Sequence, residues 1–317
     1  MPTRARQARR GLIAANVATV FFGLAGVLGS LTGLPAPLIT LGRAAFAGVA
    51  LGAWALVARV SLRPRAPRDL ALLVAQGIIL AVHWSAFFEA IVVSNVAIGL
   101  LAYSSFPLFT AALEPALLRQ RPRIPEIVAA LLIVPGIFLL VPRFGLDNTV
   151  TQGVLWGLLA GASFALLSVV NRGLSVRYAS VVISFYQDGV AALVLLPTLL
   201  ILPVAGELNA RALLLLAALG LLCTALAHTL FIASLRDITA QLASVIAALE
   251  PVWGIGFAWL LLAQTPAART LVGGALIVAA TLVPGAAALI RVRPQNRESF
   301  STKETLADAQ RDIPGRG

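Results

Sequence analysis

Ten apolar stretches of about 20 residues, separated by short polar breaks, constrain this chain more than any other feature. A segment that long crosses the hydrocarbon core of a bilayer, where no water is available to backbone N–H and C=O groups. Each stretch must therefore close its own hydrogen bonds as a helix. In order they run approximately Gly11 to Leu31, Pro37 to Ala58, Asp69 to Phe88, Ser94 to Leu118, Ile124 to Val141, Gln152 to Arg172, Ser180 to Val204, Ala212 to Ile232, Ile238 to Leu262 and Ala267 to Ile290. The expected fold class is an all-α membrane protein with ten transmembrane helices. Composition agrees, because 59% hydrophobic and 12% charged residues, with a mean hydropathy of +0.93, leave too little polar surface for a soluble domain.

The loops test the count, since cytoplasmic loops carry the excess of Lys and Arg. One side receives Arg4, Arg6, Arg9, Arg10, Arg59, Arg63, Arg65, Arg68, Arg119, Arg121, Arg123, Arg172, Arg177 and Arg236; the other receives Arg143, Arg211 and Arg269. Fourteen against three assigns both termini to the cytoplasm. The net charge of +11 thus reflects membrane orientation, and no nucleic-acid partner is expected. The basic N-terminus before an apolar run imitates a signal peptide. That run is long enough to span and lacks a small-residue cleavage site, so it reads as a retained first helix. Cys223 is the single cysteine and sits in an apolar run, which excludes an internal disulfide and a cysteine metal site. No metal or cofactor is expected.

The chain also repeats itself. At a shift of 144, Pro107 falls on Pro251, Gln120 on Gln264, Pro122 on Pro266, Val128 on Val272, and Leu132-Ile133-Val134 on Leu276-Ile277-Val278. The shift becomes 143 at Gly77 with Gly220, Phe88 with Phe231 and Ala90 with Ala233, then 142 at Gly11 with Gly153 and Phe22 with Phe164. Prolines and glycines carry most of the weight because they mark backbone geometry. Five helices per half is an odd number, so the second copy enters the membrane from the opposite face. Four regions are expected: a basic cytoplasmic segment 1–10, a five-helix repeat 11–143, its inverted copy 152–290, and a polar cytoplasmic tail 291–317. Inverted repeats place a solute site near the midplane between two bundles that expose it to alternate sides.

These features resemble the drug/metabolite transporter superfamily, of the ten-helix type with paired EamA-like halves, over nearly the whole of Gly11 to Ile290. The local marks are Leu249-Glu250-Pro251, the Gly273-Gly274 pair and Arg43. The His83-Trp84 pair and the aromatic enrichment near the fourth stretch are most similar to the YddG-type amino-acid exporters. The resemblance implies outward transport of amino acids across a bacterial inner membrane. The first half departs from the pattern, with Ser105-Phe106-Pro107 in place of Leu-Glu-Pro.

Pro107 and Pro251 each lie about 20 Å into their stretches by helical rise, close to mid-membrane. Each removes a donor, so a kink is expected at both, serving either as a static bend or as a hinge. Glu250 and Asp188 are carboxyls at membrane depth, where a charge persists only with a partner or a wet cavity. Both are candidates for coupling, Glu250 for solute binding as well, and the bland alternative is a structural, neutral acid. His83, Trp84, Phe87 and Phe88, with Tyr103, Ser104, Ser105, Phe106 and Thr110, form an aromatic set with polar tips. Such a stripe is more often packing than a ligand wall, yet those tips suit a cavity better than lipid. Trp156, Ser163, Tyr186, Gln187 and Asn16 are weaker candidates for the same cavity. Arg43 reads as a snorkelling cation paired with Glu89, Glu114 as interfacial, and His228 as a satisfied histidine near the cytoplasmic end of its stretch. Gly153, Gly157 and Gly161 recur every four residues and read as close helix packing.

The solute follows from what the stretches lack. With one arginine and no lysine inside them, a clamp for phosphorylated solutes is missing, and a neutral or zwitterionic molecule fits better. The expectation is an alternating-access exporter of aromatic or other neutral amino acids, with lipid and a small solute as partners. A monomer is compatible with the sequence. The alternative is a multidrug or other small-metabolite carrier of the same superfamily. An intramembrane enzyme built on Gly161, Ser163 and His228 is remote, since Ala165 stands where a nucleophile elbow needs glycine. An ion channel lacks a filter-like loop.

Overall fold

The computed structural model describes residues 4–118, 124–141, 145–175, 177–202, 208–234, 237–238, 246–247, 249–280 and 282–283. The side chains of Glu114 and Arg172, the arginines Arg119, Arg121, Arg123, Arg143 and Arg236, the residues Gln120 and Pro122, and the tail from Arg291 lie outside the described residues. The fold is all-α. Its helices are α1 (Arg4–Thr32), α2 (Ala36–Val57), α3 (Pro67–Val93), α4 (Val96–Tyr103), α5 (Phe106–Leu118), α6 (Ile124–Leu140), α7 (Thr149–Ser175), α8 (Ser180–Leu195), α9 (Thr198–Ile201), α10 (Ala210–Gly220) and α11 (Ala227–Ser234). A π-helical segment, Leu221–Leu226, joins α10 to α11, and two more helices follow at Glu250–Leu262 and Ala268–Ala280.

Among the described residues six helical runs are long and apolar enough to cross a membrane: Arg6–Thr32, Ala36–Val57, Pro67–Val93, Thr149–Ser175, Ser180–Ile201 and Ala210–Ser234. Four shorter apolar helices, Val96–Thr110, Ile127–Leu140, Glu250–Leu262 and Ala268–Ala280, fall within the remaining expected stretches. The difference from ten full-length helices has local causes. The fourth stretch is interrupted at Ser104 and Ser105, with Pro107 in the first turn of α5. In the ninth, Pro251 opens a new helix at Glu250. Both prolines stand where a missing N–H costs no helical bond, so what was expected as a kink is a helix start. Elsewhere Pro197 separates α8 from α9.

Helix ends follow their sequences. Gly33, at φ +68°, ends α1 in the left-handed region that glycine enters freely. Asn95 and Asn209 cap α4 and α10, each side-chain oxygen accepting from the N–H three residues on, at 3.0 and 2.9 Å. Arg59 and Ala263 take φ +52° without being glycine, and the N–H groups of Val60 and Gln264 reach back to the carbonyls of Ala55 and Ala258. These closures satisfy carbonyls that the bilayer would leave orphaned.

Large apolar side chains face outward: Val49 is 74% exposed, Leu200 91%, Trp259 60% and Leu260 71%. In water such a surface would aggregate; in a bilayer it is the lipid contact. Inside, small residues set the helix spacing. A Cβ on Gly153, Gly157 or Gly161 of α7 would meet Ser94 and the Ala90 carbonyl, Ala102, or the Tyr103 carbonyl and Phe106 nitrogen. The glycine stripe therefore seats the α4–α5 break directly on α7. Likewise Gly23 of α1 lies against Gly254 and the Glu250 carbonyl. α1 packs on the Glu250–Leu262 helix and on α10 and α11, while α7 packs on α4 and α5 and on α3; α2 packs on α8.

Gly157→Val is expected to destabilise the protein by about 1–3 kcal/mol, because the new methyls meet backbone that cannot yield. Gly256→Ala, where nothing lies within 4 Å of the added Cβ, should leave stability unchanged. Thermal unfolding of the two variants in detergent checks the contrast.

Candidate functional site

The helix break and the glycine stripe together gather aromatic residues from four helices, α3, α4, α5 and α7. α3 contributes His83, Phe87 and Phe88, the break contributes Tyr103 and Phe106, and α7 contributes Phe164. Ring centroids lie 5.4 Å apart for His83 and Phe164, 5.6 Å for His83 and Tyr103, 5.6 Å for Phe87 and Tyr103, and 5.1 Å for Phe106 and Phe164. His83 Nδ1 is 2.9 Å from the Ala160 carbonyl oxygen. A carbonyl only accepts, so Nδ1 carries the hydrogen. Ser163 is placed over the same carbonyl, with Oγ 3.0 Å from Ala160 O and 2.7 Å from Leu159 O. Ser104 is buried but its hydroxyl donates to the Leu100 carbonyl at 2.9 Å, while the buried Ser105 hydroxyl has no partner among the described residues.

A second group surrounds Arg43, which is 4% exposed. Its guanidinium carbon lies 3.9 Å over the Trp84 ring centroid and 5.3 Å from that of Phe88. Nε donates to Thr224 Oγ1 at 3.0 Å, and Nη2 approaches the Cys223 carbonyl at 3.5 Å. Nη1 has no hydrogen bond among the described residues. Thr224 in turn donates to the carbonyl of Leu219, five residues back, a register that the π-helical segment supplies. Two buried acids lie on neighbouring elements: Asp188 on α8, which packs against α2, and Glu250, whose carbonyl lies against Gly23 of α1. Asp188 is fully buried and neither carboxylate oxygen has a hydrogen bond among the described residues. Glu250 is 7% exposed in the first turn of its helix.

Around these two groups lie structural contacts. Gln187 Nε2 donates to Asn171 Oδ1 at 2.8 Å and faces Gln76 Oε1 at 3.4 Å. At the arginine-rich end, Asp69 pairs with Arg177 and accepts from Tyr178 OH at 2.7 Å, while the Arg65 N–H donates to Tyr178 OH at 2.8 Å. At the opposite end, α4, α6, α7 and the last two helices enclose a cavity of about 400 Å³ lined in part by Asn95, Gln264 and Arg269.

Several expected placements are corrected. Arg43 does not snorkel: it is buried on Trp84, and no Arg43–Glu89 ion pair exists among the described residues. Trp156 of α7 is 41% exposed, and Asn16 is exposed with its amide on the Leu12 carbonyl, so neither is buried with the two groups above. Tyr186 packs with Leu73, Leu174 and Tyr178 in a separate cluster. His228 is not an interfacial histidine; its ring packs at 6.2 Å from Trp84 and 6.5 Å from Phe22, and its Nδ1 has no partner. No hydrogen bond joins Ser163 to His228 among the described residues. The aromatic group is packed ring on ring.

Phe164 and Thr224 were missed as site residues. The repeat held a signal for the first, because Phe22 and Phe164 coincide at a shift of 142 and each packs against a histidine. Nothing local marked Thr224, whose role depends on a backbone register.

Two consecutive matches to a single family model cover residues 9–141 and 151–284. An uncharacterized transporter, YwfM, from Bacillus subtilis (strain 168) is 30% identical over 173 residues, 54% of this chain and 58% of its own length. An uncharacterized transporter from Archaeoglobus fulgidus is 25% identical over 199 residues, 63% of this chain and 70% of its own. The match thus spans less than two thirds of the Bacillus relative. A solved crystal structure superposes with a TM-score of 0.63 over 89% of this chain and 97% of its own, at 22% identity, a likeness of fold. With two matches that together cover most of its length, the chain belongs to the EamA-like transporter family.

Proposed function

We propose that the protein exports amino acids, aromatic or other neutral ones, across a bacterial inner membrane by alternating access of two inverted five-helix halves, with both termini cytoplasmic. The observation that carries the reading is the buried Arg43, held on Trp84 and Thr224 with no hydrogen bond to Nη1 among the described residues. A cation is costly at this depth, and a carboxylate-bearing solute would offset that cost. The acids Asp188 and Glu250 complement it by offering negative charge to an ammonium group. His83, Trp84, Phe87, Tyr103 and Phe106 supply an apolar, aromatic wall. Ser104 and Ser163 shape that wall through their backbone bonds. Asp188, without a hydrogen bond among the described residues, and Glu250 are also the groups through which proton coupling would act.

The inverted repeat is supported by packing that exchange of the halves leaves unchanged. α1 stands to α10, α11 and the Glu250–Leu262 helix as α7 stands to α3, α4 and α5. The helix starts at Pro107 and Pro251 then become matching hinges, each at a break where the backbone ladder is already interrupted.

Proteoliposomes loaded with labelled L-phenylalanine are expected to release it faster than protein-free vesicles, and Arg43→Gln to lose most of that release while keeping the folded yield. Retention equal to empty-lipid controls for phenylalanine and other neutral amino acids would sink the reading; release of a cationic dye instead would favour the multidrug alternative. The double variant Pro107→Ala, Pro251→Ala should slow release severalfold with little change in half-saturation, measured in the same vesicles. An unchanged rate would reduce the prolines to static bends.

A further inference from the structure

The cavity at the arginine-poor end lies outside the group around Arg43 and Tyr103. Ile98 and Leu140 of the first half, Val150 at the start of α7 and Ile255 of the second half form its apolar wall, so it opens between the halves. Ile98 is five residues outward of Tyr103, about 8 Å along the helix. Its volume of about 400 Å³ suits a small molecule.

The polar lining is one-sided in chemistry. Asn95, Gln264, Thr265, Arg269 and Thr270 supply it, and among the described residues no carboxylate lines the cavity. The acceptor oxygens of two of these already take a bond each: Asn95 Oδ1 takes the Ile98 N–H at 3.0 Å and Gln264 Oε1 takes the Val96 N–H at 3.3 Å. Each oxygen thus has one of its two lone pairs engaged, while the NH₂ donors of both amides have no hydrogen bond among the described residues. Arg269 donates Nε to the Leu139 carbonyl at 2.7 Å and Nη2 to the carbonyls of Phe138 and Val141, at 3.2 and 2.7 Å. Those bonds fix the guanidinium on the end of α6 and leave Nη1 uncommitted. The Ala268–Ala280 helix starts at the same place, adding the positive end of its dipole. Fixed donors, a fixed cation and an apolar wall select one chemical class.

We propose that this cavity binds the anionic head of an amphipathic molecule, a carboxylate or phosphate joined to an apolar body. The same chemistry could come from a solute leaving the central site or from an anionic lipid headgroup. Arg269 is the anchoring cation, with the amides of Asn95 and Gln264 and the hydroxyls of Thr265 and Thr270 as neutral donors. The inference goes beyond the transport reading, because binding here does not require transport.

The test uses the full chain in nanodiscs of phosphatidylcholine, with 3-phenylpropionate and phenethylamine as probes. The carboxylate is expected to raise the thermal midpoint by about 3 °C at saturation and the amine to leave it unchanged. Arg269→Gln should weaken carboxylate binding about tenfold or more. Because that variant also loses the bonds to α6, Thr265→Glu provides a second reading: it adds a negative charge without touching them, and should abolish the shift. In discs containing phosphatidylglycerol, a diminished shift with lipid retained by the wild type and lost by Thr265→Glu identifies a lipid headgroup; an undiminished shift identifies a free solute. The proposal is overturned if neither probe nor lipid binds, if the amine stabilises as well as the carboxylate, or if the shift survives both variants and disappears only in Arg43→Gln. A protein that still releases phenylalanine while failing here would refute this site and leave the transport reading standing.

Discussion

Within hydrocarbon an unpaired backbone amide costs several kcal/mol, so a helix can be interrupted there only where protein or a polar cavity covers the gap. The break between α4 and α5 and the helix start at Glu250 are such interruptions, and much of the interior is arranged to cover them. Gly161 lets α7 lie directly on the Tyr103 carbonyl and the Phe106 nitrogen, and Gly23 lets α1 lie on the Glu250 carbonyl. A larger side chain at either glycine would force the covering helix away. The close packing of small residues and the broken helices are therefore one device.

The same interruptions determine where chemistry is found. Tyr103, Phe106 and Glu250 stand at the breaks, and the aromatic rings of α3 and α7 close over them. Arg43 solves a related difficulty, since a buried guanidinium needs both a face to rest on and acceptors for its edge. Trp84 supplies the face, and Thr224 supplies an acceptor through the wider turn of the π-helical segment. The two halves share several glycines and prolines, Pro107 with Pro251 and Gly77 with Gly220 among them, but not these side chains. Phe106 stands opposite Glu250 in the repeat, and Arg43 has no basic counterpart in the second half, where a shift of about 142 falls on Phe185. The interior is consequently polar on the side of α2 and α10–α11 and aromatic on the side of α4 and α7.

Much of this was readable from the chain alone. The apolar stretches, the placement of loop arginines and the coincident prolines determined an all-α membrane protein with an internal duplication, because apolar length and proline position act through the backbone itself. The aromatic set of His83, Phe87, Tyr103 and Phe106 and the packing role of Gly153, Gly157 and Gly161 could also be read, since helical spacing fixes which residues share a face. Tertiary structure decided the rest. It left Trp156 and Asn16 exposed, set Tyr186 in another cluster, and brought Arg43 from an expected membrane face onto Trp84. These depend on how each helix is rotated about its axis, and that angle is set by its neighbours. A span hydrophobic on nearly every face carries no amphipathic stripe to reveal it, so the sequence specified the helices and only their packing selected the sides that meet.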